Sequence, residues 1–320
     1  MNNSICVIGL GIGRLYVDVA KTLGYQVVTV DTNPNIQADY KSVSEIPEHI
    51  TFTIAVICTP NATHKSIAEF ISKHTKKILV EKPGFQTWDE WNEFQQNFDG
   101  QLFMAKNNMY RSIHNDIYRA INHYKDIESM NVFWLNTNRI PSAGNWFTNK
   151  SLSFGGVHRD LMPHAINVVQ AITGYVALDD CADIIAVKQQ QFDLTDDVSS
   201  PYGTVNLNGI YDVDDAAYFH CTLPHGAVVN CCTAWKMNNI SQDEIKWQIK
   251  LKNGLMLEFQ AGLCPEEAYS EMLQSFINMP ADSEEYEHCK QIDQAIHNIM
   301  NQFVDDDSCK EKILKVLNEG

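Results

Sequence analysis

The sequence predicts an α/β protein in which a doubly wound parallel sheet is followed by an α+β domain with a mostly antiparallel open sheet. Two observations carry this prediction. As far as His123, short continuous apolar runs alternate with amphipathic stretches, which is the pattern of βαβ units around a sheet buried on both faces. Beyond that point the apolar segments are longer and alternate with polar residues, as strands with one exposed face do.

The first half contains five short segments rich in β-branched residues, and we predict that each is a strand. Helical periodicity lies between them, for instance over residues 62–74 and 87–98. We therefore predict a first domain over residues 1–123. Its strands are expected at residues 5–9, 27–31, 53–60, 77–83 and 101–105.

In the second half, turn signals at residues 224–226 and 253–254 join alternating segments, which predicts antiparallel hairpins. One helix is predicted over residues 160–173, with Gly174 as its C-cap, and helix returns from residue 283 onward. The second domain is predicted over residues 124–320, with its C-terminal helices packing back on the first. Its strands are expected within residues 130–139, 181–191, 216–224, 226–236 and 244–260.

Composition excludes several classes of protein. The 320 residues are 44% hydrophobic with a formal charge of -16, and no dense cluster of Lys and Arg suggests a nucleic-acid partner. The nine cysteines are scattered without a CxxC motif, which favours a reducing cytoplasm. No apolar window approaches the roughly 20 residues of a membrane span, and the N-terminus does not resemble a signal peptide. No cluster has metal-ligand spacing, so we predict no metal.

Three glycines follow the first predicted strand and open the first helix, at positions 9, 11 and 13. This turn could need glycine only for its backbone conformation. The strand, the helix and an acid, Asp31, at the end of the next strand together favour a dinucleotide site, and hence a Rossmann domain. The third glycine departs from the strict GxGxxG spacing, which would place it at Arg14. Because the carboxylate of Asp31 would repel a 2'-phosphate, we predict NAD rather than NADP as cofactor.

Two further strand ends carry polar groups. The third predicted strand ends in Cys58-Thr59-Pro60-Asn61-Ala62-Thr63-His64, and the fourth ends in Glu81-Lys82-Pro83. The carboxyl ends of parallel strands are where ligands of open α/β sheets bind. Lys82 could stabilise a developing alkoxide there, although a surface lysine before a loop would have the same sequence.

These motifs occur in a fixed order. A GxG turn, a CTPNxxH loop, an EKP tripeptide and a later glycine pair followed by DxxxH resemble the glucose-fructose oxidoreductase, inositol dehydrogenase and rhizopine-catabolism (Gfo/Idh/MocA) family. The resemblance implies a pyridine-nucleotide oxidoreductase acting on a CH–OH or carbonyl carbon of a sugar, polyol or nucleotide sugar. It implies Lys82, Asp160 and His164 as the catalytic set, and a cis bond before Pro83.

The motif positions also predict the residues that contact ligands. Where the family commonly has an Asn-Arg-Arg-Phe run, this chain has KNNMYR, and only Asn107 corresponds. Arg139 and Trp146 lie just upstream of the glycine pair and are candidate substrate contacts with Asn107, although Trp146 could equally belong to the core. The expected cofactor contacts are Gly9, Gly11, Ile12, Gly13, Asp31, Thr59, Pro60, Asn61, His64, Glu81 and Lys82.

Asp160 and His164 are four positions apart and would share one face of a helix. On spacing alone, Asp160 could simply be the N-cap of that helix and His164 a polar residue of its first turn. The preceding glycine pair and Lys82 favour the catalytic interpretation. His164 is then the general base, Asp160 orients the imidazole or a substrate hydroxyl, and Lys82 stabilises the alkoxide. His158 is an alternative base, although a single extra histidine is more often structural.

Two other functions remain open from the sequence. A regulatory protein could keep this fold and bind a nucleotide without turnover, and similar proteins also reduce imines or tetrapyrroles. The presence of Lys82, Asp160 and His164 together argues for an enzyme. The resemblance also predicts a homo-oligomer, a dimer or tetramer, formed through the second sheet.

Overall fold

The computed structural model describes residues 3–121, 123–195 and 203–319. None of the helices in these ranges combines the length and hydropathy that a membrane crossing needs. In the first third of the chain, strands and helices alternate as predicted. They are β1 (Ser4–Ile8), α1 (Gly13–Thr22), β2 (Gln26–Val30), β3 (Ile54–Ile57), α2 (His64–Ile71), β4 (Lys77–Val80), α3 (Trp88–Asn97) and β5 (Gln101–Met104).

The rest of the chain is richer in strands and ends in helices. Its elements are α4 (Ile113–Ala120), β6 (Ile127–Leu135), α5 (Lys150–Ser153), α6 (Val157–Asp160), α7 (Met162–Thr173), β7 (Ala182–Gln189), β8 (Ala216–Thr222), β9 (Val228–Ala234), β10 (Glu244–Leu251), β11 (Met256–Gln260), α8 (Glu266–Asn278), α9 (Glu284–Gln302), β12 (Val304–Asp305) and α10 (Cys309–Glu319).

The first five strands form one parallel sheet in the order β2-β1-β3-β4-β5. Strands β3, β4 and β5 are buried almost throughout, which explains their continuous apolar runs. The strand order reverses between β1 and β3, and in open α/β sheets a ligand crevice forms at such a switch point. The segments that follow β1 and β3 are the glycine turn and the CTPN loop.

The other seven strands form a second sheet in the order β11-β10-β6-β9-β8-β7-β12. Its pairs are antiparallel except β6 with β9 and β7 with β12. The two predicted hairpin turns are confirmed, because Gly226 and Gly254 have φ of 87° and 88° between antiparallel partners. The predicted fold class, a parallel α/β sheet followed by a mostly antiparallel sheet, is confirmed.

The chain divides into two compact units, and each unit is formed by two separate segments of the sequence. Unit 1 contains Met1–Tyr110 and Pro265–His297, and unit 2 contains Arg111–Cys264 and Asn298–Gly320. The predicted boundary at residue 123 therefore lies inside the second unit, on the C-terminal side of α4.

Unit 1 includes two helices from late in the chain, α8 and most of α9. The ring of Tyr269 on α8 meets Tyr16 on α1 edge-on, with centroids 5.4 Å apart. The Lys106 ammonium, just after β5, forms a fully buried ion pair of 2.5 Å with Asp293 on α9. These contacts build α8 and α9 into the core beside the parallel sheet.

In unit 2, α7 contacts β6 and β9, while α10 packs on β7 and β8. Cys309 and Ile313 of α10 are buried against Phe133 and Tyr218 of the sheet. Helix α7 ends at Gly174, whose φ of 64° is the left-handed C-cap conformation that its glycine predicted.

Candidate functional site: a dinucleotide turn and an Asp–His helix

The turn after β1 passes very close to the end of β3. Gly9 has φ +88°, and a Cβ there would stand 2.7 Å from the Cys58 carbonyl oxygen and 2.9 Å from Cγ2 of Thr59. A Cβ on Gly13 would lie 3.1 Å from Cγ1 of Val7. Gly9 therefore permits both the turn and the approach of two strand ends, whereas Gly13 permits α1 to pack tightly on β1.

The middle of this turn fits a diphosphate. Apart from Gly11 itself and its two chain neighbours, no described residue has an atom within 4 Å of the point where a Cβ of Gly11 would stand. Ile12 is the N-cap residue of α1, and its apolar side chain, which is 47% exposed, cannot accept a hydrogen bond from the first turn. An open backbone approach at the positive end of a ten-residue helix favours an anion.

Asp31, at the end of β2, is held beside this turn. Its Oδ2 accepts a hydrogen bond from the Leu10 N–H at 2.7 Å, and its Oδ1 accepts one from the Asn33 N–H at 2.8 Å. Each carboxylate oxygen can accept a further bond, so the ribose hydroxyls of a dinucleotide would still find acceptors. The carboxylate is thus fixed in place next to the glycine turn.

His64 connects the CTPN loop to the loop after β4. It is fully buried, with Nδ1 2.8 Å from the Gly84 carbonyl oxygen and Nε2 2.9 Å from that of Thr59. Burial lowers the pKa of His64, so the ring is neutral near pH 7 and donates to one carbonyl at a time. Thr59 and Pro60 are partly buried and Asn61 is buried. His64 would therefore contribute to cofactor binding indirectly, by holding these two loops together.

The Lys82–Pro83 peptide bond is cis, which confirms the conformation expected there. Glu81 supports the backbone at this point, because its Oε2 accepts the Lys82 N–H at 3.1 Å and its Oε1 accepts the Tyr16 hydroxyl at 2.7 Å. Burial and the neighbouring Glu81 raise the pKa of Tyr16 well above its ordinary value. Tyr16 therefore remains a neutral hydrogen-bond donor to Glu81.

In unit 2, Asp214 holds the glycine-pair segment. Its Oδ1 accepts the Gly156 N–H at 3.0 Å and lies 2.6 Å from Nδ1 of His158, while its Oδ2 accepts the His158 N–H at 2.8 Å. Its carbonyl oxygen accepts the Val157 N–H at 3.0 Å. A Cβ on Gly156 would stand 1.7 Å from that carbonyl oxygen, so only glycine fits.

The charge of Asp214 is stabilised by its partners. Burial opposes its ionisation, but the His158 imidazole, the Lys188 ammonium at 3.9 Å and the backbone donors outweigh burial and lower the pKa of Asp214 to about 2. His158 is itself 3% exposed. Since its Nδ1 is committed to Asp214, the geometry favours the structural interpretation of His158 over the alternative in which it is the base.

Asp160 is the last residue of α6 and not the cap of α7. Leu161, in αR conformation, is the N-cap residue of α7, so the alternative in which Asp160 is the N-cap is wrong. The reason is local: residues from Val157 already adopt helical conformation after Gly156, and the helix starts earlier than its apolar pattern indicated. The Asp160 Oδ2 instead accepts the indole N–H of Trp235 at 2.8 Å.

His164 follows one turn later, in the first turn of α7. Its N–H donates to the Leu161 carbonyl at 3.1 Å, so the helical path from Asp160 continues across the junction. The imidazole lies over the indole of Trp134 on β6, with centroids 5.4 Å apart and planes at 28°. Asp160 and His164 are both partly buried and each is supported by a tryptophan.

The three predicted substrate contacts have different environments. Asn107, in unit 1, is buried and accepts the Asn108 N–H at 2.9 Å. Arg139, in unit 2, lies 3.3 Å from Oδ2 of Asp243 with its side chain 30% exposed. Trp146, also in unit 2, is partly buried and stacks on its neighbour Phe147 at 3.7 Å between centroids.

The sequence alone did not predict the residues that support the glycine-pair segment and the candidate catalytic side chains. Asp214 is 58 positions from Gly156, and Trp235 is 75 positions from Asp160. Trp134 reaches His164 across a strand–helix contact. None of these pairs has a local spacing that a single sequence could reveal, because each is created by the packing of α6 and α7 on the second sheet.

Two family models match the chain in the order of its two sheets. Residues 16–104 match the model described as an oxidoreductase family with an NAD-binding Rossmann fold, and residues 126–256 match the GFO/IDH/MocA C-terminal domain. The chain belongs to the GFO/IDH/MocA oxidoreductase family. The resemblance carried by the sequence motifs is thereby confirmed, and the glycine turn immediately precedes the residues that match the NAD-binding model.

The chain is also similar to individual proteins, one in part of its sequence and others in their fold. The chain is 24% identical over 176 residues to a putative UDP-kanosamine synthase oxidoreductase subunit of Amycolatopsis mediterranei (strain S699), a match that covers 52% of this chain and 48% of that relative. The fold is similar to that of GenD2 from gentamicin A biosynthesis in complex with NAD, with TM-score 0.73, 17% identity and coverage of 98% and 94% of the two chains. It is also similar to the WlbA dehydrogenase of Bordetella pertussis in complex with NADH and UDP-GlcNAcA, with TM-score 0.69, 15% identity and coverage of 94% and 97%.

Proposed function

We propose that this protein is an NAD-dependent oxidoreductase that moves a hydride between nicotinamide and an alcohol or carbonyl carbon of a sugar, polyol or nucleotide sugar. The observation that carries the proposal is the dinucleotide turn, in which Asp31 holds the Leu10 N–H beside Gly9. The similarity to a putative UDP-kanosamine synthase oxidoreductase subunit and to the WlbA dehydrogenase in complex with NADH and UDP-GlcNAcA supports a nucleotide sugar as substrate.

The proposal includes a preference for NAD over NADP. The Asp31 carboxylate would accept hydrogen bonds from the ribose hydroxyls and repel a 2'-phosphate at the same place. Fluorescence titration with NADH and NADPH at one ionic strength tests this preference. Tighter binding of NADPH would overturn it.

Three residues are assigned to the chemistry. A bound nicotinamide cofactor would supply the hydride chemistry at the substrate carbon, in either direction. His164 takes the proton of the substrate hydroxyl on a ring nitrogen, since imidazole exchanges protons readily near neutral pH. Asp160, held by the Trp235 N–H, orients the imidazole or a neighbouring hydroxyl. The Lys82 ammonium stabilises the negative charge that develops on the substrate oxygen.

The test is absorbance at 340 nm with NAD or NADH against myo-inositol, aldoses, their keto forms and UDP-sugars. His164→Ala is compared with His288→Ala, an exposed histidine on α9. Turnover that falls roughly 10²-fold or more in the first variant and is kept in the second supports the proposal. Equal turnover in both variants removes His164 from the mechanism. Tight NADH binding without turnover on any substrate would favour the alternative of a nucleotide-sensing regulatory protein.

We also propose a homo-oligomer, a dimer or tetramer, in the cytoplasm. A line of polar side chains crosses one face of the second sheet, where Asn230 bonds to Asn131 at 2.8 Å and to His220 at 2.9 Å. Such a polar but partly buried sheet face suits association with a second copy. All nine cysteines lie in the described ranges and are free thiols, which suits a reducing compartment. Light scattering on the purified protein measures its mass in solution. A monomer mass would refute the proposed oligomer.

A further inference from the structure

A buried cluster of planar side chains lies behind His164 in unit 2. The Trp134 indole, which His164 stacks on, has the guanidinium carbon of Arg111 5.9 Å from its ring centroid. The same carbon lies 5.6 Å from the ring of Trp247, which in turn stacks on His114 at 5.3 Å and 10°. We call Arg111, His114, Trp134 and Trp247 the Arg111 stack, and each of the four is at most 5% exposed.

The second sheet sets the positions of the two tryptophans. Strands β6 and β10 are antiparallel, with Trp134 opposite Ile245 and Trp247 opposite Val132. The two indoles are therefore diagonal neighbours on one face, within reach of a common partner. Within the described part of the chain, no acceptor reaches the buried indole N–H of Trp247. The contacts of its ring faces with Arg111 and His114 are therefore what hold the Trp247 indole in position.

Arg111 fixes the stack to the backbone. Its Nη1 donates to the Ala261 carbonyl at 2.8 Å, and its Nη2 donates to the Gly262 carbonyl at 2.9 Å. A planar guanidinium held through two of its nitrogens cannot rotate out of the stack, and a cation over buried aromatic rings is attracted by them. Arg111 thus immobilises Trp134 from a fixed point of the main chain.

We propose that Arg111 and Trp134 are positioning residues for His164, which keep the imidazole in the single orientation that its proton transfer needs. The inference rests on the proposed function, in which His164 is the base. A histidine has two rotatable side-chain bonds, and its ring would sample several orientations without the indole beneath it. A catalytic group that is misplaced by about 1 Å can lose on the order of 10²-fold in rate.

The activity test compares Trp134→Leu with Trp134→Phe, which keeps an aromatic face. Trp134→Leu should lower kcat on the best panel substrate by about 10- to 100-fold with little change in the KM for NADH, and Trp134→Phe should recover most of the loss. In the His164→Ala background, Trp134→Leu should cause no further loss. A full additional loss in that background would show that Trp134 acts otherwise than through His164, and would overturn the inference.

A matched pair of substitutions tests the role of Arg111 in the same way. Arg111→Met removes both carbonyl contacts and the charge, whereas Arg111→Lys keeps the charge and can keep one contact. We expect the kcat of Arg111→Lys to lie between those of the wild type and Arg111→Met. Circular dichroism and NADH affinity check that each variant folds, and Arg111→Lys decides if Trp134→Leu or Arg111→Met does not fold. Wild-type kcat in every folded variant would refute the inference.

A second readout does not depend on turnover. In protein with ¹³C-labelled histidine, the ring signal of His164 is identified by its loss in His164→Ala. The ring current of Trp134 should displace this signal upfield in the wild type and in Trp134→Phe, and the displacement should vanish in Trp134→Leu. An unchanged signal in Trp134→Leu would overturn the inference even if His164 proves to be the base. Conversely, wild-type turnover of His164→Ala would refute the proposed function, in which His164 is the base. The ring signal of His164 would still show whether Trp134 holds the imidazole.

Discussion

Replacement of Asp214 by Asn should destabilise unit 2 in a pH-dependent way. The carboxylate lies at the centre of the glycine-pair segment, where it accepts the N–H groups of Gly156 and His158 and meets the His158 ring. Its pKa falls from 3.8 to about 2. At 1.36 kcal/mol per pKa unit, this shift corresponds to about 2 kcal/mol of stability when the group is ionised.

The sign of the pH dependence follows from the direction of the shift. Because the folded pKa of Asp214 is depressed, the folded state binds fewer protons than the unfolded state between about pH 4 and pH 2. The stabilisation is therefore complete above about pH 4 and is lost as the pH falls toward 2. Asp214→Asn lacks it at every pH, so the difference between wild type and variant should have its full value at pH 7 and should shrink below pH 4.

Urea unfolding followed by tryptophan fluorescence at pH 7 and pH 3 measures this difference. Asp305→Asn is the matched control, since Asp305 is also 3.9 Å from Lys188 but its side chain is 87% exposed. The control should change the free energy of unfolding by at most about 0.5 kcal/mol. A loss at pH 7 in Asp214→Asn no larger than that of the control would refute the reasoning.

Three further predictions concern other sites. Asp31→Ser should weaken NADH binding about 10-fold or more and reduce the preference over NADPH, as measured by fluorescence titration, because charge-assisted hydrogen bonds are lost; unchanged affinities would contradict this. Gly156→Ala should lower the unfolding free energy by more than about 3 kcal/mol, because its Cβ would stand 1.7 Å from the Asp214 carbonyl oxygen. As a control, Gly11→Ala should leave the unfolding free energy nearly unchanged. Lys106→Met should cost about 3–5 kcal/mol in urea unfolding by leaving Asp293 buried without its partner, and adding Asp293→Leu should recover most of that loss; a double variant as unstable as the single one would count against this account.

The parallel sheet could be predicted from the sequence because its strands are buried on both faces and therefore read as continuous apolar runs. The glycine turn was equally predictable, since φ +88° and a 2.7 Å approach at Gly9 leave glycine as the only residue that fits. Helix α8 was missed, although Ala268, Met272 and Phe276 recur at helical spacing on its buried face. The helices expected to pack on the first domain were placed from residue 283 onward, whereas α8, which begins at Glu266, also belongs to unit 1.

The candidate site was only partly predictable for the same reason. The motif positions indicated Asp160 and His164, but the groups that support them, Trp235 and Trp134, lie on distant strands. The N-cap interpretation of Asp160 was wrong because Gly156 starts a helix earlier than the apolar periodicity does. The roles of Lys82, Asp160 and His164 in catalysis stay predictions.

Transfer of label from the cofactor tests the central claim most directly. NADH carrying deuterium at both C4 positions of the nicotinamide is incubated with the keto substrates and nucleotide sugars of the panel, and the products are analysed by mass spectrometry. The account predicts a product one mass unit heavier than the same product formed with unlabelled NADH, and a sharp loss of this product in His164→Ala. Product of unlabelled mass, or no product while NADH binds tightly, would contradict the claim that the protein is a hydride-transferring enzyme.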